Sequence, residues 1–327
     1  MFPVLVGLLA SPPLAAADDL DSRPWSEVRS ENFRIKGILS EERTTELLRH
    51  LEIMRSSLGG ANAAGSGTDV RTVILAVDNH DDYVSIGAPA YSAGFFFSDL
   101  RENAILIEDS EQASGIQVIL HEYAHFLNKQ SGRIRYPRWY EEGNAEYLSH
   151  SRLQAQAFEF GLAPEKHLAA LSFSAWLPLR QIIEVTDVSA LDETEGALFY
   201  GQAWLLVHYL RSLPGSDGAI PGMLQEYARL VSTGTLAAPA FEQSFGLQID
   251  VLEDTLLKYF LERDFASRRV PANTALPGFV TRSRTLSEAE AQLALAQMAL
   301  RFENIFGAEQ WFSAVLADNN LRAYGEA

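Results

Sequence analysis

An α+β fold is what this sequence predicts, and two patterns predict it. Short β-branched and aromatic runs crowd the first third of the chain, at Phe33-Arg34-Ile35, Val70–Val77, Gly94–Phe97 and Ala104–Ile107. From Ala113 onward the apolar residues recur at helical spacing. The reading is an N-terminal mixed-sheet lobe over 18–112, a helical lobe over 113–266 and a short C-terminal α-helical, repeat-like segment over 267–327.

Taken in order, Trp25 to Lys36 contains the alternating Phe33-x-Ile35 and reads as a first strand. Ser40 can cap the next helix, with Glu41 and Glu42 at the positive end of its dipole. Leu47, Leu48, Leu51, Met54 and Leu58 give that helix one apolar face. Gly59 to Asp69 is a Gly-, Ala- and Ser-rich connection. Three strands follow, Val70 to Val77, Gly94 to Phe97 and Ala104 to Ile107, the last two joined by the polar turn Ser98 to Asn103. Helices are expected at Ser114 to Lys129, Trp139 to Ser151, Pro164 to Leu171, Leu179 to Glu184, Leu198 to Leu213, Met223 to Val231 and Ile249 to Ala266. Pro214-Gly215 and Phe245-Gly246 punctuate them.

Composition narrows the class. The chain is 47% apolar and 21% charged, as in ordinary globular proteins. A net charge of −17 with no basic face argues against a nucleic-acid partner, because phosphate would be repelled. With no cysteine there is no disulfide framework, no thiol chemistry and no Cys-ligated metal. Phe2 to Ala10 is a short apolar stretch followed by Ala15-Ala16-Ala17, which reads as a signal peptide over 1–17 and implies export to a bacterial periplasm or secretion. No later apolar run is long enough to span a membrane.

The chemistry concentrates in His121-Glu122-Tyr123-Ala124-His125, inside the apolar run Ile116 to Leu127. On a helix, residues four apart stack on one face, so the two imidazoles reach one point while Glu122 sits a fraction of a turn away. Two neutral imidazole nitrogens suit one Zn²⁺, and the adjacent carboxylate is placed to accept a proton from an activated water. A catalytic zinc needs a third protein ligand from elsewhere. Downstream lies Trp139-Tyr140-Glu141-Glu142-Gly143-Asn144-Ala145-Glu146. Glu146 falls one turn beyond Glu142 on the same face, where it can hold the outer nitrogen of a ligating histidine.

These residues resemble the gluzincin zinc metallopeptidases of the peptidase MA type, in which a second helix carrying Trp-x-x-Glu-Gly-x-Ala follows HExxH. Trp139, Glu142, Gly143 and Ala145 match that pattern. The resemblance implies Glu142 as third ligand, one zinc, a zincin-like fold with the metal at the junction of the lobes, and a peptide or protein substrate. It implies too that the edge strand before the metal helix, Ala93 to Phe95, pairs with extended substrate backbone. An oxyanion needs a donor as well. Tyr200, which begins a helix well after the metal pair, corresponds to the donor tyrosine of related peptidases, and Tyr136 on the loop between the metal helices is its rival.

The remaining polar residues read more plainly. His50, His80 and His167 are expected to be solvated, His208 to be a satisfied core group, and His150 lies on nearly the stripe of Glu142. Arg133, Arg135 and Arg138 flank the cleft, either as a carboxylate site or as solvated counter-charge. In the C-terminal segment, Ala294-Leu295-Ala296, Ala308 and Phe312 resemble a tetratricopeptide repeat that would continue near Ala323-Tyr324. A single repeat leaves two arrangements, a truncated array that binds a protein partner or a hairpin docked on the catalytic lobe. Two rivals to the peptidase remain from the sequence: a catalytically silent scaffold, and a structural zinc domain with four protein ligands.

Overall fold

The computed structural model describes residues 20–59, 72–98, 103–130, 135–272 and 279–317. The expected signal peptide, the Gly59–Asp69 connection beyond its first residue, most of the Ser98–Asn103 turn, Arg133 and the Ala323-Tyr324 continuation lie outside them. The class is α+β, built on a six-stranded mixed sheet. Its strands are β1 (Ser26–Arg29), β2 (Phe33–Gly37), β3 (Thr72–Val77), β4 (Gly94–Ser98), β5 (Asn103–Glu108) and β9 (Arg282–Thr285), in the order β4-β5-β3-β2-β1-β9. β2, β3 and β5 run parallel, and the outer strands are antiparallel to their neighbours. What the sequence suggests as one strand across Trp25 to Lys36 is the hairpin β1-β2, with Arg29 opposite Arg34.

Central parallel strands are apolar on both faces because both faces are covered. Ile35, Ile74 and Ile105 stand side by side in register. With Ala76 and Ile107 they enter one core, while the alternate residues Leu75, Val77, Ala104 and Leu106 enter a second core on the opposite face. The first core is closed by α1 (Glu41–Gly59) and α3 (Gly115–Gln130) and runs on into the helical lobe. Ser40 caps α1 as expected, its Oγ accepting from Arg43 N at 3.2 Å.

The second face carries the C-terminal segment. β9 hydrogen-bonds to β1 in the register Ser26 to Thr285, and α11 (Glu288–Arg301) and α12 (Ile305–Ala317) bury Leu295, Met298 and Trp311 in the second core. The described residues therefore form the docked hairpin. Its start is fixed by a capping box in which Ser287 and Glu290 bond each other's backbone N–H. Also bordering this core is α2 (His80–Ser85), a helix absent from the sequence expectations; Asn79 caps it by accepting from Asp82 N.

The helical lobe comprises α4 (Arg138–Ser149), α5 (Glu165–Phe173), α6 (Leu179–Glu184), α7 (Glu193–Ser212), α8 (Ser216–Ser232), α9 (Ala237–Phe245) and α10 (Ile249–Glu262). α7 starts a turn and a half before the expected Leu198 because Asp192 and Glu195 form a capping box. α8 starts at Ser216 rather than Met223 and carries Pro221 in its second turn, and α9 has no counterpart among the expected helices. α10 stops at Glu262, short of Ala266, where Arg263 turns into the left-handed region at φ 56. A small sheet, β6 (Arg152–Gln154), β7 (Ala157–Phe160) and β8 (Arg268–Pro271), was also unforeseen. Strands of three and four residues are too short to show a period. No helix among the described residues is long and apolar enough to cross a membrane.

Candidate metal centre

α3 leaves the end of β5 through Asp109, whose carboxylate accepts from Gly115 N at 2.9 Å and is itself gripped by Arg43 at 2.6 and 2.8 Å. This fixes the first turn of α3 to the sheet and to α1. Ile119, Leu120, Tyr123 and Ala124 face the core, so His121 and His125 are turned towards α4.

α4 explains the Trp-x-x-Glu-Gly-x-Ala spacing in physical terms. Trp139 is fully buried edge-on against Phe241 and Phe245 of α9, which anchors the start of the helix. At Gly143 a Cβ would lie 2.3 Å from Ala203 O, so only glycine lets α7 pack this closely. Ala145 is fully buried as well. Glu142, between these contacts, is left pointing at α3.

His121 Nε2 and His125 Nε2 lie 3.1 Å apart, and Glu142 Oε2 is 3.4 Å from the first and 3.5 Å from the second. A tetrahedron with bonds of about 2.0–2.1 Å has edges of about 3.3–3.4 Å, so this triangle has the size of one face of a tetrahedral zinc site. Among the described residues, this is the one group of histidine and carboxylate atoms close enough together to hold a metal ion. His121, His125 and Glu142 thus form a buried group able to bind a metal, and three ligands leave a position open.

The surroundings orient these side chains. His121 Nδ1 is 3.0 Å from Glu146 Oε1. Glu146 Oε2 is in turn 2.7 Å from His167 Nε2 and 3.3 Å from His150 Nδ1. His167 is therefore not the solvated residue the sequence suggested; it reaches in from α5 and is largely buried. Nothing in its local sequence signals this, since the contact spans two helices. Burial works to raise the pKa of Glu142, but His125 and His121 outweigh it and hold the carboxyl well below its usual range. Burial works likewise on Glu146, and His121 and His167 outweigh it. On His121 burial opposes a proton, yet Glu142 and Glu146 overcome it and raise the pKa.

Glu122 stands apart from the ligand triangle. Burial pushes its pKa up, against the pull of His121 and His125. Its carboxylate lies against β4, where a Cβ on Gly94 would come within 2.8 Å of Glu122 Oε1. β4 is the outer strand of the sheet, so among the described residues Glu122 sits beside an edge strand. Burial pushes the Tyr200 phenol well up, and the charges of Glu142, Glu146 and Glu122 add to this. Tyr136 instead packs on Tyr140 at 5.3 Å and lines a neighbouring cavity. Arg138 bonds Glu141 Oε2 at 3.1 Å and Glu142 Oε1 at 3.4 Å. His80, expected to be solvated, is half exposed and bonds the buried Glu108 at 2.8 Å. His208 is a core group.

Compared with known proteins, the chain matches no protein-family model and no curated sequence.

Proposed function

We propose that this chain is a zinc-dependent metallopeptidase of the gluzincin type, with His121, His125 and Glu142 holding the metal and Glu122 as general base. The observation that carries the reading is the near-equilateral triangle of two imidazole nitrogens and one carboxylate oxygen, set beside a separate buried carboxylate and a strand that is the sheet's edge among the described residues. Zinc is the metal that two histidines and a glutamate with an open position suit, and when bound there it supplies the Lewis acidity that activates water and polarises a carbonyl.

The protein's own groups do the rest. Backbone of an extended peptide hydrogen-bonds to the free edge of β4, which brings a carbonyl beside Glu122. Glu122, with its pKa raised by burial, takes the proton of the attacking water and passes it to the departing amine. Tyr200, kept protonated by burial and by the neighbouring carboxylates, donates its O–H to the developing oxyanion, a contribution of about 3–4 kcal/mol in comparable sites. Glu146 fixes the ring of His121. Export by the N-terminal segment belongs to the same reading.

The test is metal analysis of the purified chain joined to cleavage profiling on a peptide library. Wild type is expected to hold one zinc and to hydrolyse peptides, whereas Glu122→Gln keeps the zinc and loses about 10³-fold or more in rate. Equal cleavage by both proteins would remove Glu122 from the mechanism.

A further inference from the structure

We infer that the cavity beside the metal centre receives the free C-terminus of a peptide ending in an apolar residue, so that hydrolysis releases residues from the C-terminal end. This rests on the metallopeptidase reading and names its substrate class. The cavity, about 620 Å³, opens between the start of α4 and helices α6, α8 and α9. Its deeper lining is apolar, with Ile183 and Tyr227 buried and Val185 and Ala237 beside them. Its more exposed lining is charged, and includes Arg135 and Arg138.

The two arginines have unused donors. Arg138 meets Glu141 and Glu142 through Nη1 alone, and its Nη2 and Nε make no hydrogen bond among the described residues. A guanidinium offers five N–H donors in a planar fork that suits a carboxylate. Arg135 makes no ion pair among the described residues. Of the other charges in the lining, Arg229 is held by Glu226 in a two-point contact, Glu141 pairs with Arg138, and Glu184 is exposed. Two uncommitted guanidinium edges at the mouth of an apolar cavity, on a chain of net charge −17, form a local exception to the acidic surface.

Distance links this cavity to the chemistry. Arg138 Nη1 is 3.4 Å from Glu142 Oε1, and the other oxygen of that carboxylate faces His121 and His125. In a peptide, the carbonyl carbon of the last bond and the carbon of the terminal carboxylate are three bonds, about 3–4 Å, apart. A carboxylate held on the side of Arg138 that faces Glu142 brings the last peptide carbonyl within reach of the ligand triangle while the terminal side chain enters the apolar part of the cavity. The bond broken is that last C–N bond: water gives its oxygen to the new carboxylate and its protons end on the released amino group and in solvent. An acidic terminal side chain would have to leave its charge against Ile183 and Tyr227, which costs far more than an apolar one.

The experiment is calorimetry on Glu122→Gln protein loaded with zinc, titrated with one heptapeptide ending in leucine, as the free acid and as the amide. The acid is expected to bind about tenfold or more tightly, as charge-assisted hydrogen bonds imply. Arg135→Gln should narrow that ratio, and Ala228→Trp, which fills the cavity, should weaken the leucine-ended acid more than a glycine-ended one. Equal affinity for acid and amide in protein with full zinc content overturns the C-terminal assignment and leaves the peptidase reading standing. Protein that takes up no zinc overturns both.

Discussion

His121 and His208 are both withdrawn from water, yet they are built by opposite rules. His208 on α7 has one partner for each nitrogen: Gly161 O at 3.1 Å from Nε2 and Tyr259 Oη at 2.7 Å from Nδ1. A carbonyl can only accept, so Nε2 carries the proton and Nδ1 accepts from the tyrosine. Donors and acceptors balance, and burial pushes the pKa down to about 4. Around His121 they do not balance. Two Nε2 atoms and a carboxylate oxygen converge within 3.1 to 3.5 Å, and Glu146 engages Nδ1, so lone pairs outnumber protons. Both are mostly withdrawn from water, His208 more than His121; the excess of acceptors is what makes the His121 group able to bind a cation.

The sharpest way to break this comparison is to remove one acceptor. Glu142→Ala leaves two imidazoles, and structural zinc sites draw about 10–16 kcal/mol from four ligands, or roughly 2.5–4 kcal/mol for each. Chelator competition should show zinc affinity falling on the order of 10²–10³-fold, with far-ultraviolet circular dichroism unchanged. Unaltered affinity would mean that the triangle is not the site.

The opposite experiment addresses the balanced histidine. The folded pKa of His208 lies below the ordinary 6.5, so the unfolded chain takes up a proton first as pH falls. Stability from this group is complete above about pH 6.5, declines between 6.5 and about 4, and changes no further below. The loss is on the order of 3 kcal/mol. Glu142 and Glu146, both depressed, add their own loss at lower pH through the usual carboxylate range, equally in wild type and in a His208 variant. In urea titrations His208→Phe should be less stable at pH 7 and should lose less than wild type on going to pH 4.5. Parallel pH profiles would show that His208 takes up its proton in the folded state.

How much of this was legible beforehand follows from the range over which each signal acts. The spacings of the HExxH pair on one helix and of Glu142 and Glu146 on the next are local and readable, while the contacts between the two helices follow from the motif that joins them. The α1 cap and the three strands after it were legible for the same reason. His167 was not, because no motif ties it to Glu146, which it meets from a third helix. β9 was not either: Arg282 to Thr285 is polar and exposed, so its place in the sheet comes from pairing with β1, with Glu27 meeting Arg284 across the register. Short elements held by tertiary partners leave little periodicity to read.

The mildest test lies one layer behind the ligands, where the two kinds of histidine site come closest. Glu146 resembles the partners of His208 in satisfying an outer ring nitrogen, but it is charged and shared, with Oε1 on His121 and Oε2 near His167 and His150. Glu146→Gln keeps the shape and removes the charge. The amide can still accept from His121 through its oxygen, so the ring keeps its orientation while the imidazole becomes a weaker donor to a metal. Zinc affinity should fall by about 10–100-fold, less than for Glu142→Ala. The pH dependence should change with it. Without metal, Glu142 and Glu146 hold a proton on His121, so zinc must displace that proton below the raised pKa. In wild type the affinity should fall as pH drops through this range, and in Glu146→Gln the fall should begin at lower pH. An identical pH profile in both proteins would mean that Glu146 contributes orientation alone and no charge to the centre.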